Sequence, residues 1–186
     1  MDVTNLKNSL PEHAKDLKLN LSAVLSPEGA PGLSPQQIAG IALASAVAAR
    51  SPALLAEIEA QAAGTLDAAH VGAARAAAAI MGMNNIYYRF VHLVGNDEYA
   101  KLPAKLRMNV SGSPGIDKTD FELYSLAVSA INGCGACVAA HERIVRKAAV
   151  SAEAVQSAVR IAAVIHGVAV ALESTAAGAA AARQAA

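Results

Sequence analysis

A serine stands directly before a proline at the head of two successive apolar, alanine-rich segments, at Ser34-Pro35 and at Ser51-Pro52. A serine hydroxyl at that place accepts one of the amide hydrogens a helix start leaves free, and proline at the first helical position has no amide hydrogen to lose. Each pair therefore commits the segment it heads to helix. Ile38, Ile41, Leu43 and Val47 supply the apolar positions after the first pair, and Leu54, Leu55 and Ile58 those after the second, which Gly64 should stop.

The same signals recur along the chain, and strand signals are nearly absent. Ser9 with Pro11 opens a segment carrying Leu17, Leu19, Leu21 and Leu25. Thr65 or Asp67 starts a helix through Val71, Ile80 and Met81, and a further helix is expected from Tyr87 to Leu93, ending before Gly95-Asn96. Asp117 to Asp120 caps another, whose apolar residues Phe121, Tyr124, Leu126 and Val128 lead to the helix-ending pair Asn132-Gly133. The expected fold is all-α, a helical bundle of about eight or more helices in a single domain spanning 1–186. Only Leu102 to Gly115, with Pro103, Gly112, Ser113 and Pro114, cannot be one regular element.

That break divides two stretches, 33–95 and 116–173, that match at an offset of 83 to 85 residues. Leu43-Ala44 faces Leu126-Ala127, Ser51 faces Cys134, and Arg75, Ile80 and Gly82 face Arg160, Ile165 and Gly167. The expectation is an internal repeat with a non-catalytic first half, since Ser51 and Leu54 stand where the second half has Cys134 and Cys137.

A chain of 186 residues can build a core without a disulfide framework. Charged residues make up 16% and balance to zero, so no basic face favours nucleic acid or an anionic membrane. The N-terminus lacks the apolar stretch of a secretory signal, which places the expected compartment in the cytoplasm. The longest apolar run, Ile161 to Leu172, is about a dozen residues against the roughly 20 a bilayer requires. It reads as buried helix, with His166 as a core histidine. His13 and His70 show no partner at useful spacing and read as surface residues. Asn84, Asn85 and Arg89 read as groups satisfying helix ends or a polar interface. The cluster Tyr87, Tyr88, Phe90 and His92 reads as core or subunit contact, with the lining of a substrate pocket as the alternative.

In a reducing compartment a C-x-x-C pair points to redox chemistry or metal rather than a structural bridge. Zinc would want four ligands, and Cys134, Cys137 and His141 supply at most three. Cys134 falls at a helix start, where the N-terminus favours a thiolate. His141 lies four residues beyond Cys137, on the same helix face, so proton exchange between them is within reach. A thiol of ordinary pKa is only a few per cent ionised at pH 7, and lowering that pKa by about 2 units, worth roughly 2.7 kcal/mol, would make most of it reactive. Glu122, on the preceding helix, is the candidate to orient His141.

The pattern Glu122, eleven residues, Cys134-x-x-Cys137-x-x-x-His141, together with Met81-Gly-Met-Asn-Asn-Ile-Tyr-Tyr-Arg-Phe-Val-His92, resembles the alkylhydroperoxidase D (AhpD) family of the carboxymuconolactone decarboxylase-like superfamily. The resemblance implies an antioxidant, lipoyl-dependent alkyl hydroperoxide reductase. In it Cys137 would be the peroxidatic thiol that becomes a sulfenic acid, and Cys134 the proton donor and resolving thiol, the two closing a redox disulfide. Glu122 and His141 would carry protons. It further implies dihydrolipoamide as reducing co-substrate on a lipoyl-bearing 2-oxoacid dehydrogenase component, no tightly bound cofactor, the peroxiredoxin AhpC as partner, and a homotrimer. Cys134 is expected to be the more accessible sulfur and the point of attack by the reductant. Some family members have histidine where this chain has Ala136. Two alternatives stand beside this reading: a general dithiol-disulfide reductase with weak peroxidase activity, and a decarboxylase-like enzyme of the same superfamily.

Overall fold

The structure, a computed structural model, describes residues 1–184, with side chains for 1–178. Among the described residues there are ten α-helices and no strand. They are α1 (Thr4–Ser9), α2 (Lys15–Val24), α3 (Pro35–Ala49), α4 (Pro52–Ala62), α5 (Ala68–Leu93), α6 (Asp97–Lys101), α7 (Asn109–Gly112), α8 (Lys118–Ile131), α9 (Gly135–Lys147) and α10 (Ala152–Gln184), with a 3-10 turn at Glu12–Ala14.

The capping chemistry sets the starts. Ser34 Oγ accepts from the Gln37 amide at 3.1 Å and the Gln37 side chain accepts from the Ser34 amide at 2.9 Å, a closed capping box with Pro35 inside it. Ser51 caps α4 through the Leu54 amide. Asp67 caps α5, and the His70 amide it accepts from, followed by the His70 side chain, holds its carboxyl below the usual range.

Helices α3 and α8 form the centre of the molecule. Ile38 to Ala46 and Asp120 to Ser129 contain no exposed residue, and α5 and α10 pack against both helices. A helix enclosed on all sides needs small residues where a neighbour's bulk arrives. At Gly40 of α3 an added Cβ would sit 2.1 Å from the Tyr124 hydroxyl of α8, so only glycine admits that ring. Burial raises the Tyr124 pKa, with the nearby Asp120 carboxylate adding to the effect.

Four expectations are corrected. The two helices expected between Asp67 and Gly95 are one continuous helix, the 26-residue α5. The only glycine between the two expected segments is Gly82, and one glycine costs roughly 1 kcal/mol, too little to end a helix whose neighbours pack on both sides of it. Ahead of α2 lies an additional short helix, α1, which Ser9 ends rather than starts. Finally, the apolar run in α10 is longer than a dozen residues: Ala152–Gly178 would suffice, by length and composition, to cross a membrane. Its Ile161, Ile165 and Val168 are fully buried, and α10 packs against α2, α3 and α8, which makes it a core helix. His166 lies on the other face and is exposed, not in the core.

The orders α3-α4-α5 and α8-α9-α10 share a local geometry. In each, a residue in the left-handed region, Arg50 (φ 59°) or Gly133 (φ 67°), precedes a capping side chain, Ser51 or Cys134, that accepts from the amide three residues on.

Candidate functional site

The site begins at the end of α8. Gly133 takes the left-handed conformation a non-glycine residue would resist, and the Gly133 and Cys134 amides donate to the carbonyls of Ala130 and Ser129, each at 3.1 Å. This motif reverses the chain and delivers Cys134 as the N-cap of α9, where its Sγ accepts from the Cys137 amide at 3.3 Å. Cys134 and Cys137 are joined as a disulfide with their Cα atoms 5.3 Å apart. On reduction, both sulfurs would lie at the positive end of a helix dipole, which favours the thiolate.

The reversal is fastened from α5. Asn85 donates to Ser129 Oγ at 2.9 Å and accepts from Asn132 Nδ2 at 2.9 Å, while the Arg89 guanidinium donates to the Asn132 carbonyl at 2.6 Å. Asn85 and Arg89 thus satisfy the polar groups at the end of α8, as expected from the sequence. Asn84 makes no such bond.

Glu122 sits on the enclosed helix α8 and is 5% exposed, a position that demands a partner for a carboxylate. It has one: Oε2 lies 2.6 Å from His141 Nδ1. The other ring nitrogen, Nε2, lies 3.3 Å from the Met81 sulfur. Both nitrogens are therefore engaged, and neither is bonded to Cys137, although Cys137 and His141 share a cavity.

That cavity has a volume of about 290 Å³. From α9 it is lined by Ala136, Cys137, Ala140 and His141; α5 contributes Met81, Asn84 and Tyr88, and the segment before α8 closes it with Met108 and Ser111. Its walls are nearly all apolar. A second cleft of about 360 Å³ lies on the far side of Tyr88 and Ala136, which border both spaces. Tyr88 is thus a cavity wall, while Phe90 and His92 point outward and belong to neither the core nor the cavity.

The exposures of the two cysteines reverse the expectation. Cys134 is wholly buried and Cys137 is 7% exposed and borders the cavity. The reason lies in the turn: Cys134 belongs at once to the end of α8 and the start of α9, so two helix termini cover it, whereas Cys137 sits in the first turn of α9 facing the cavity.

Spacing alone does not mark Met81, Met108 or Ser111 as site residues. A signal for Met81 is its place one turn before Asn85; the other two lie in the irregular stretch, where no periodicity assigns a facing direction. Elsewhere, His70 pairs with its own helix cap, Asp67, at 2.7 Å, so it is not partnerless, and His13 is exposed. Among the described residues no three His, Cys, Asp or Glu side chains cluster as a metal site.

The carboxymuconolactone decarboxylase family matches residues 97–182, a span containing Glu122, both cysteines and His141. The chain is 56% identical over 174 residues to the alkyl hydroperoxide reductase AhpD of Bradyrhizobium sp. (strain ORS 278), covering 94% of each sequence. It is 54% identical to the AhpD of Brucella suis (strain ATCC 23445 / NCTC 10510) over 94% of this chain and 98% of that one. The AhpD of Rhodopseudomonas palustris (strain BisA53) is 54% identical over 177 residues, 95% and 96% of the two chains.

Proposed function

From the premise that this chain belongs to the AhpD family, we propose that it is an antioxidant thiol peroxidase that reduces alkyl hydroperoxides through Cys134 and Cys137. One observation carries the reading: the disulfide at the start of α9 meets an apolar cavity through Cys137 alone, beside His141 and the buried Glu122 that holds it. Such a cavity suits the organic half of a hydroperoxide and presents it to a single sulfur.

In the reduced protein the Cys137 thiolate attacks the terminal peroxide oxygen. The S–O bond forms as the O–O bond breaks, leaving a sulfenic acid on Cys137 and an alkoxide that takes up a proton and departs as the alcohol. Cys134 is the proton donor and is left as the thiolate, and Glu122 with His141 supplies the proton that the hydroxide released in the next step takes up. The Cys134 thiolate then attacks the sulfenic sulfur, expelling hydroxide that leaves as water, and closes the disulfide before over-oxidation.

A dihydrolipoyl group on a 2-oxoacid dehydrogenase component returns the disulfide to two thiols and is itself oxidised to the cyclic disulfide. The cysteine exposures favour attack on Cys137, with Cys134 leaving as the thiolate. The same exchange, run against the disulfide of AhpC, would regenerate that peroxiredoxin. In this proposal the protein works in the cytoplasm as a homotrimer, and the exposed apolar stripe Ile86, Phe90 and Leu93 along α5 supports association between subunits.

A second reading, a general dithiol-disulfide reductase with weak peroxidase activity, is favoured by the 3.3 Å contact that engages His141 Nε2 with the Met81 sulfur rather than with a cysteine. The two separate in one assay. Purified protein given dihydrolipoamide and cumene hydroperoxide consumes the peroxide, and Cys137→Ser abolishes consumption. Unchanged turnover in that variant would sink the assignment, and dithiol exchange without peroxide consumption would select the second reading.

A further inference from the structure

We infer that Asn84 and Ser111 form the polar anchor that orients the –OOH group of an organic hydroperoxide in the cavity beside Cys137. This deepens, and rests on, the peroxidase reading.

The cavity would be apolar but for few groups, and two of them stand out. Asn84 of α5 is 6% exposed, and its Oδ1 has no hydrogen-bond partner in the protein. Ser111 of α7 has a buried Oγ in the same condition. Both side chains line the cavity that holds Cys137, and they reach it from elements far apart in sequence. The next residue along α5 makes the contrast plain: Asn85 is equally buried and bonded to both Ser129 and Asn132. Buried polar atoms are nearly always satisfied, and leaving one unmade is costly, so two in one cavity call for an explanation. A ligand carrying both a donor and an acceptor supplies it.

An alkyl hydroperoxide is such a ligand. Its O–H can donate to Asn84 Oδ1, and its inner oxygen can accept from the Ser111 hydroxyl. Its organic group then lies against Met81, Met108, Tyr88 and Ala140. As the Cys137 sulfur bonds to the terminal oxygen and the O–O bond breaks, the electron pair passes to the inner oxygen. The Ser111 hydrogen bond strengthens as that charge develops, which makes it worth more in the transition state than in the bound substrate. The alkoxide then takes its proton and leaves as the alcohol, and the dihydrolipoyl group later restores both thiols. Hydrogen peroxide could use the anchor but not the apolar walls, so the site should favour organic hydroperoxides.

The test compares Asn84→Leu, Ser111→Ala and Ser111→Thr with the unmodified protein, using cumene hydroperoxide and dihydrolipoamide, alongside thermal melting. Loss of one substrate hydrogen bond is expected to lower kcat/KM by about tenfold in Asn84→Leu and in Ser111→Ala. The hydroxyl retained in Ser111→Thr should recover most of that loss. Because the atoms removed have no partner in the fold, the melting temperature should hold or rise. Unchanged kcat/KM in both variants would overturn the anchor while leaving the peroxidase reading in place. A fall of several degrees in both would overturn it too, by assigning the side chains to the fold. An unmodified protein that exchanges dithiols yet consumes no hydroperoxide would remove the peroxidase reading and the anchor with it.

Discussion

Glu122 and His141 are nineteen residues apart in sequence and joined by one 2.6 Å bond, and that bond decides what the imidazole can do. A carboxylate on Nδ1 fixes the ring orientation, while Met81 occupies Nε2. Replacing Glu122 with glutamine keeps the shape and removes the charge. Hydroperoxide turnover should fall by on the order of 100-fold, the usual worth of a positioned acid–base group. The check is kcat with cumene hydroperoxide, measured beside thermal melting so that a loss of activity is told apart from a loss of fold. A kcat equal to that of the unmodified protein would leave the pair without a catalytic part. Ala136 bears on the same question: its methyl group offers no second imidazole at the cavity wall, so proton traffic on this face of α9 depends on the one pair.

At the scale of elements, the ends of helices carry more information than their middles. The end of α9 repeats the motif that ends α8, with the Ala149 and Val150 amides donating to Arg146 and Val145 at 3.1 and 3.0 Å. The residue that must turn left-handed is here an alanine, Ala149 at φ 65°, where α8 uses Gly133. Left-handed backbone costs a non-glycine residue roughly 1 kcal/mol or more. Ala149→Gly should therefore raise the melting temperature by about 2–4 °C without altering turnover, measured by calorimetry and the peroxidase assay together. A lower melting temperature would mean that the Ala149 methyl group packs usefully. We propose that the paired turns at Arg50-Ser51 and Gly133-Cys134 descend from one duplicated unit, of which only the second half acquired thiols. The exchange of an N-cap serine for an N-cap cysteine preserves the capping role while adding redox chemistry.

At the scale of the molecule, the enclosed centre contrasts with one uncovered face. Ile86, Phe90 and Leu93 recur at helical spacing along α5 and are 64%, 47% and 71% exposed, and the Phe90 ring meets Tyr99 edge-on at 5.1 Å. A patch of this kind marks an interaction surface. If it closes the proposed trimer, the double substitution Ile86→Glu with Leu93→Glu should yield monomers by light scattering while helix content holds. A trimer that persists in that variant would place the subunit contact elsewhere.

Much of this is legible in the amino-acid sequence. Serine-proline and aspartate caps, alanine-rich apolar runs and the absence of strand patterns fix an all-helical chain, because capping and helical periodicity act within a few residues. The spacing of Cys134, Cys137 and His141 is local for the same reason, and it named the reactive segment. What the sequence could not decide depends on groups brought together from distant elements. The continuity of α5 follows from packing that outweighs the glycine between its two halves, Gly82. The orphaned atoms of Asn84 and Ser111, the Met81 sulfur on His141 and the deeper burial of Cys134 arise only when α5, α7, α8 and α9 meet. Local hydrogen bonding made the helices legible, and the contacts between them, whose energies depend on three-dimensional proximity rather than on order along the chain, made the site.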